Sequence, residues 1–382
     1  MTPPLSLYIH WPFCAAKCPY CDFNSHVREN RDDDAFGNAL LREMENWKEK
    51  LGARQLQTIF FGGGTPSLMP PALVGQLIEK ACNLWPAAPT MEVTLEANPT
   101  SSEASKFAEL KRAGVNRLSL GVQALNDEAL RFLGRKHDVK EALAAIDIAA
   151  KTFPRYSFDL IYARKGQSVK DWEAELKQAL QYAGGHLSLY ELTLEPNTGF
   201  AARAATGEVF QANLEEQADM YEATQSIMNA ANMPAYEVSN HAKRGEECRH
   251  NMAYWQYDEY LGIGAGAHGR VGINQRAAQL NTRAPEAWLK RVNETGLGVE
   301  SLSPLPLEEM MTEMLLMGLR LNKGVNKITW LSRFGSPLDD FIHAGKKAAL
   351  IKEGLLAETE THISATPDGM LKLTGLTEAL AA

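Results

Sequence analysis

Apolar positions along the first half of the chain alternate between two patterns. Short β-rich runs fall at residues 7–11, 57–61, 92–96, 117–121, 157–161 and 186–192. Between them, residues 34–50, 72–84, 102–113, 140–151 and 169–182 read as longer amphipathic helical stretches. Strand, helix, strand at this regularity implies parallel strands, with the helical stretches as crossovers. Six such strands joined by right-handed crossovers predict an α/β fold, an incomplete (β/α)6 TIM-like barrel two units short of closure.

Beyond residue 195 the alternation stops. Residues 214–231 read as a helix, which leads into a Gly-rich, His-containing segment from Glu237 to Gly269. From about Ser301 the Met-rich run 308–319 reads as a buried amphipathic helix and 339–352 as another. Residues 354–373 predict a hairpin turning at Pro367-Asp368-Gly369. Helices followed by a hairpin suggest a smaller α+β winged-helix-like module. The expected division is a barrel over 1–236, a connecting region over 237–300 and the C-terminal module over 301–382.

Ligands in such barrels bind beyond the C-terminal ends of the strands. Chemistry-bearing residues concentrate there. Cysteines follow the first predicted strand and Gly62-Gly63-Gly64-Thr65-Pro66 follows the second. Glu96 ends the third, Gln123 follows the fourth and Asp159 lies near the end of the fifth. Core packing alone gives no reason for polar and glycine residues to gather at one rim.

Composition narrows the classes. A net charge of −8 over 382 residues argues against a broad grip on nucleic acid or anionic lipid. The winged-helix-like module, which lacks a Lys/Arg stripe, is therefore not expected to bind nucleic acid. No secretory signal and no apolar stretch of about 18 residues is present, so a cytoplasmic protein that is not integral to a membrane is expected. Five cysteines make no disulfide scaffold in that compartment.

Three of the five fall within eight residues, Cys14-Ala15-Ala16-Lys17-Cys18-Pro19-Tyr20-Cys21. Such a loop can wrap three thiolates around one face of an iron–sulfur cluster and leave one iron open. A zinc site completed by His26 or His10 and a set of buried, unliganded cysteines are the alternatives. Zinc sites favour paired Cys-x-x-Cys units, and a polar, Pro-containing loop does not suit buried thiols.

The triplet, with an aromatic before its third cysteine and Gly-Gly-Gly-Thr-Pro downstream, resembles the radical S-adenosylmethionine superfamily. Tyr8-Ile9-His10-Trp11-Pro12-Phe13-Cys14, Phe60-Phe61-Gly62-Gly63-Gly64-Thr65-Pro66, Glu96-Ala97-Asn98-Pro99, Leu120-Gly121-Val122-Gln123 and Phe158-Asp159-Leu160-Ile161-Tyr162 resemble one subfamily of it more closely. That subfamily holds the oxygen-independent coproporphyrinogen III oxidases and the HemW-like heme chaperones. The resemblance spans essentially the whole chain. It implies a [4Fe-4S] cluster on Cys14, Cys18 and Cys21. It also implies S-adenosylmethionine contacts at Tyr8, Tyr20, Gly63, Gly64, Thr65, Glu96, Gln123, Arg135 and Asp159. Carboxylates suit the ammonium or ribose of that ligand, and an Arg135 fork suits its carboxylate. One departure stands out: relatives read Tyr-Gly-Leu-Pro-Gly where this chain reads Tyr162-Ala163-Arg164-Lys165-Gly166.

The resemblance leaves two activities that share these cofactors: radical oxidation of a porphyrinogen, or heme carriage with delivery to acceptor proteins. Phe23 stands where the oxidases place a fourth cysteine, the first cluster cysteine comes as early as residue 14 where the oxidases carry an N-terminal extension, and His250-Asn251-Met252-Ala253-Tyr254-Trp255 matches the His-Asn-x-x-Tyr-Trp motif of the chaperones. The carrier is therefore expected, with heme and unidentified heme-accepting proteins as partners and an electron donor if radical chemistry occurs. His250 is the expected heme ligand, Cys248 and His268 are weaker candidates, and Cys82 belongs to a helix face in the core. No catalytic residue is singled out.

Overall fold

The computed structural model describes residues 2–272 and 275–381. Six strands, β1 (Pro4–Trp11), β2 (Gln55–Gly63), β3 (Ala87–Ala97), β4 (Arg117–Gln123), β5 (Arg155–Tyr162) and β6 (His186–Glu191), lie side by side in chain order. Each neighbouring pair is parallel. This is the incomplete barrel expected. Leu5, Leu7, Ile9 and Trp11 share one face of β1 and are fully buried, while the other face carries Ser6 and His10, which are buried as well.

The crossovers are helices with strong local signals. The first, Asp33–Leu51, begins where the Asp32 carboxylate accepts the Ala35 N–H and ends at Gly52, whose φ of 65° suits glycine. Capping boxes open Val139–Thr152 and Val169–Leu180 at Asp138 and Ser168. The helix expected over 102–113 is two pieces, Ser101–Ala104 and Phe107–Arg112. At the break the Ser105 hydroxyl donates to the Ser102 carbonyl at 2.8 Å, a local bond that competes with helix continuation.

The region expected only to connect contributes strands to the same sheet. β7 (Asn240–Ala242) runs antiparallel on β6, and β8 (Tyr260–Ile263) lies parallel on the free edge of β1. From β8 an antiparallel meander continues through β9 (His268–Gly272), β10 (Arg276–Asn281) and β11 (Val299–Pro304). These strands are short and rich in glycine and polar residues, so their hydrophobic period is weak. A buried carboxylate ties them to the barrel. Glu43, on the first helix, accepts the backbone N–H groups of Gly264 and Gly298, each at 2.8 Å, and the Asn281 amide at 3.0 Å. Burial pushes its carboxyl up to about 7.

The C-terminal part has its own core, centred on Leu315, Leu319, Trp330 and Ile363. The Met-rich helix Leu307–Leu319 buries Met311 and Met314 as expected. Helices Lys327–Phe334 and Ala344–Lys352 accompany a small sheet of Val325–Asn326, His362–Ala365 and Leu356–Glu358, a winged-helix-like arrangement. Two expectations shift. The helix over 339–352 starts only at Ala344, capped by His343, whose ring accepts the Lys346 N–H at 3.3 Å. The hairpin turns at residues 359–361. Pro367 instead opens a short helix, Pro367–Met370, capped by Thr366.

Candidate functional site

The rim at the C-terminal ends of the strands forms a cavity of ≈ 190 Å³ whose walls include Cys14, Cys18, Cys21, Gly63, Gly64 and Thr65 on one side. Tyr20, Glu96, Gln123, Arg135 and Asp159 complete it. All three thiols are free and half-buried. Burial pushes the Cys14 and Cys21 thiols up, so holding them as thiolates calls for an adjacent cation.

The cysteine loop is held at both ends. Thr65 donates to Cys14 Sγ at 3.4 Å and Arg135 Nη1 to Cys18 Sγ at 3.3 Å. Asn24, three residues past Cys21, donates to the carbonyls of Ala265 and Arg283, both at 2.9 Å. Its own carbonyl accepts from His10 Nε2 at 2.9 Å, which leaves His10 Nδ1 to accept the Tyr8 hydroxyl at 3.0 Å. The loop is thus anchored to the sheet extension as well as to the barrel.

The glycines serve close approach. A Cβ on Gly63, whose φ is 111°, would lie 2.6 Å from the His10 ring, and one on Gly64 would lie 2.7 Å from the Phe13 carbonyl oxygen. Gln123 sits at the end of β4 with φ 73°, a left-handed conformation costly for any side chain.

Two carboxylates face the cavity from β3 and β5. Burial, reinforced by the Asp159 charge, pushes Glu96 up to about 8. Burial also pushes Asp159 up to about 6, against the pull of Ser188, Arg117 and Arg135. Asp159 Oδ1 is buried and has no hydrogen-bond partner among the described residues. A cationic group placed between these residues would repay a cost that the protein alone leaves standing.

Arg135 is engaged within the chain. Its Nη2 donates to Asn98 Oδ1 at 2.6 Å and to the Gly121 carbonyl at 2.7 Å, while Nη1 reaches Cys18. In this arrangement it clamps the cysteine loop to β4. Tyr8 lines a neighbouring cavity and stacks on Phe60 with centroids 6.2 Å apart.

Sequence reasoning missed Glu103 and gave Asn98 no role. The Asn98 amide bridges Thr65 Oγ1 and Glu103 Oε1, each at 3.3 Å, and Glu103 accepts the Asn98 N–H at 2.8 Å and the Ser67 hydroxyl. The Asn98-Pro99 dipeptide just after a strand was the available signal.

A family model described as the Radical SAM superfamily matches residues 8–179, and one described as the HemN C-terminal domain matches residues 305–371. A protein of Bos taurus called radical S-adenosyl methionine domain-containing protein 1, mitochondrial, is 37% identical over 97% of this chain and 86% of its own. The protein called heme chaperone HemW of Escherichia coli (strain K12) is 36% identical over 98% of both chains. This chain belongs to the HemW family of radical S-adenosylmethionine proteins. The solved structure of coproporphyrinogen III oxidase (HemN) from Escherichia coli superposes with a TM-score of 0.84. It covers 99% of this chain and 90% of that one at 22% identity, a likeness of fold.

Family membership brings a [4Fe-4S] cluster and S-adenosylmethionine as cofactors, and the cavity fits them. Cys14, Cys18 and Cys21 all line one cavity as free thiols, the donor set such a cluster takes. The unpartnered Asp159 oxygen, the raised Glu96 and the bare Gly63–Gly64 wall leave room and charge for an amino-acid-bearing sulfonium.

The His250 expectation meets a different geometry. The residue is 1% exposed, at the start of helix Arg249–Trp255. Its Nδ1 pairs with the Thr58 hydroxyl and its Nε2 with the Tyr254 hydroxyl, both at 2.7 Å. Its backbone N–H donates to Glu92 and its ring stacks on Phe60 at 5.0 Å. Neither ring nitrogen is open to a ligand in this conformation. The motif shapes a wall instead: His250 holds Tyr254, and Tyr254 and Trp255 line the neighbouring cavity. Cys248 is fully buried, and Cys82 packs against the core. Among the described residues no helix is long and apolar enough to cross a membrane.

Proposed function

We propose that this chain binds heme and passes it to acceptor proteins, as the name of its HemW relatives describes, while carrying a [4Fe-4S] cluster and S-adenosylmethionine. The observation that carries this reading is a second cavity of ≈ 500 Å³, walled by Tyr254, Trp255 and Tyr260, that adjoins the cofactor cavity across Gly63 and Glu96. Flat aromatic walls of that volume suit a macrocycle. A reducing compartment, the cytoplasm, belongs to this reading because a cluster on half-buried thiolates is sensitive to oxidation.

Cys14, Cys18 and Cys21 would hold the cluster. When bound, it offers one open iron to the amino and carboxylate groups of S-adenosylmethionine and a source of one electron. The chain's own residues orient that ligand. Glu96 and Asp159 supply negative charge for its cationic groups, Gly63 and Gly64 allow its approach, and Thr65 and Arg135 stabilise the thiolates. Phe23, at the position of the oxidases' fourth cysteine, lines both cavities. This favours a barrier between the cofactor and the aromatic cavity over a further thiol ligand.

One anaerobically reconstituted sample tests the reading with two assays. Added hemin should give a saturable shifted Soret band. Coproporphyrinogen III should survive incubation with reductant and S-adenosylmethionine. Rapid conversion to protoporphyrinogen IX would replace the carrier with the oxidase and leave the cluster assignment standing.

A further inference from the structure

Heme iron needs an accessible imidazole, and nine histidines compete for the role. Four have both ring nitrogens engaged within the chain: His10 by Tyr8 and Asn24, His186 by Ser157 and Tyr236, His250 by Thr58 and Tyr254, and His362 by Asn326 and Thr361. His26, His137 and His343 each engage one nitrogen, with Asn24, the Val122 carbonyl and the Lys346 N–H, and none of the three lines the aromatic cavity. His241 is bare at both nitrogens but is 1% exposed inside the sheet. The cavity wall holds His10, which is doubly engaged, and His268.

His268 opens β9, where Gly264 and Gly266 turn the chain sharply beside the cysteine loop. It is exposed, its ring takes no hydrogen bond from a described residue, and it lines the aromatic cavity. Partial burial, with Arg270 and Arg283 nearby, holds its pKa below the usual range, so the ring is neutral and able to coordinate near pH 7. The same cavity presents Phe23, Tyr254, Trp255 and Tyr260, and Met317 from the C-terminal helix. Phe23 is 57% exposed, an apolar surface that no described residue covers. Two arginines also reach this cavity. Arg270 is held by Glu313 at 2.6 Å. Arg283 is exposed and forms no ion pair among the described residues.

Resting on the heme-carrying reading above, we propose that heme occupies this cavity with His268, rather than His250, as an axial ligand to its iron, and with Arg283 as the cation facing a propionate. The site draws on three parts of the chain: the cysteine loop through Phe23, the sheet extension through Tyr260 and His268, and the C-terminal module through Met317. His250 acts on it at one remove, as a positioning residue for Tyr254.

Full-length protein, reconstituted with its cluster, is titrated with hemin and followed by absorption and electron paramagnetic resonance. In His268→Ala the imidazole signature should vanish and affinity should fall on the order of tenfold or more. Added free imidazole should restore the signature. His268→Cys should convert the spectrum to that of a thiolate-ligated heme, which a merely structural role would not do. His250→Ala should weaken binding without changing the ligand signature. An unchanged spectrum and affinity in both His268 variants would overturn the assignment of the ligand while the carrier reading stands. Failure of the unmodified protein to bind hemin would instead remove the carrier reading itself.

Discussion

Arg164 Nη2 lies 2.6 Å from Glu175 Oε2, and both side chains are less than a tenth exposed. Arg164 also donates to the Ile161 carbonyl at 2.6 Å, while the other oxygen of Glu175 accepts the Leu125 N–H at 2.7 Å. The departure Ala163-Arg164-Lys165 thus supplies a buried ion pair that joins the loop after β5 to the loop after β4, two residues from Gln123. Ala163 takes the positive φ, 57°, in the turn.

Removing one member of that pair should strand the other. Arg164→Ala is expected to lower stability by about 3–5 kcal/mol, measured by urea denaturation. Replacing both by Met and Leu should recover most of the loss. Retention of full stability by Arg164→Ala would mean that the pair does not hold the two loops together.

The raised carboxylates fix a pH dependence. Glu96 near 8, Asp159 near 6 and Glu43 near 7 each keep a proton in the folded, ligand-free state at pH values where the unfolded chain has lost it. Their contribution to stability is present below the ordinary carboxylate range and is lost as pH rises through these values. Histidines with lowered values, His10 near 4 and His250 near 3, act in the opposite direction, but only below about pH 6.5. Ligand-free protein should therefore become less stable between about pH 6.5 and 8, and Glu96→Gln should flatten that slope. Cationic S-adenosylmethionine should bind several-fold more tightly across the same rise, as calorimetry at successive pH values would register. A flat affinity profile would place the sulfonium elsewhere.

Support for the thiolates predicts a graded result. Cys14→Ala should abolish stoichiometric iron and acid-labile sulfide. Thr65→Val, which removes only the hydroxyl donated to Cys14, should weaken cluster retention by about 10–100-fold under chelator challenge. Equal loss in both variants would indicate that Thr65 holds the fold rather than the ligand.

His250→Ala leaves the Thr58 and Tyr254 hydroxyls without a partner and opens space beside Phe60. A stability loss of about 2–4 kcal/mol is expected from these terms together. Stability within about 0.5 kcal/mol of the parent would contradict the tight packing of this ring.

The barrel was readable in the sequence because short β-rich runs alternate regularly with amphipathic helices, several of which carry their own caps. The rim was readable for a related reason: cysteines, glycines and carboxylates at strand ends have no packing role. What escaped was whatever depends on partners distant in the chain. Glu43 binds residues more than 200 positions away, and β8 to β11 carry too few apolar residues to announce themselves. The surroundings of His250 were hidden for the same reason. Its motif marks a wall of the second cavity, and only the fold reveals that both of its nitrogens are taken by Thr58 and Tyr254. The Arg135 clamp was likewise invisible without Asn98 beside it.

Gly63, Phe23 and Glu96 each belong to two cavities at once. Occupants of the two cavities therefore press on a common wall of one ring, one glycine and one carboxyl group. Whatever factor the first guest imposes on the affinity of the second, the second returns to the first, because linkage is reciprocal.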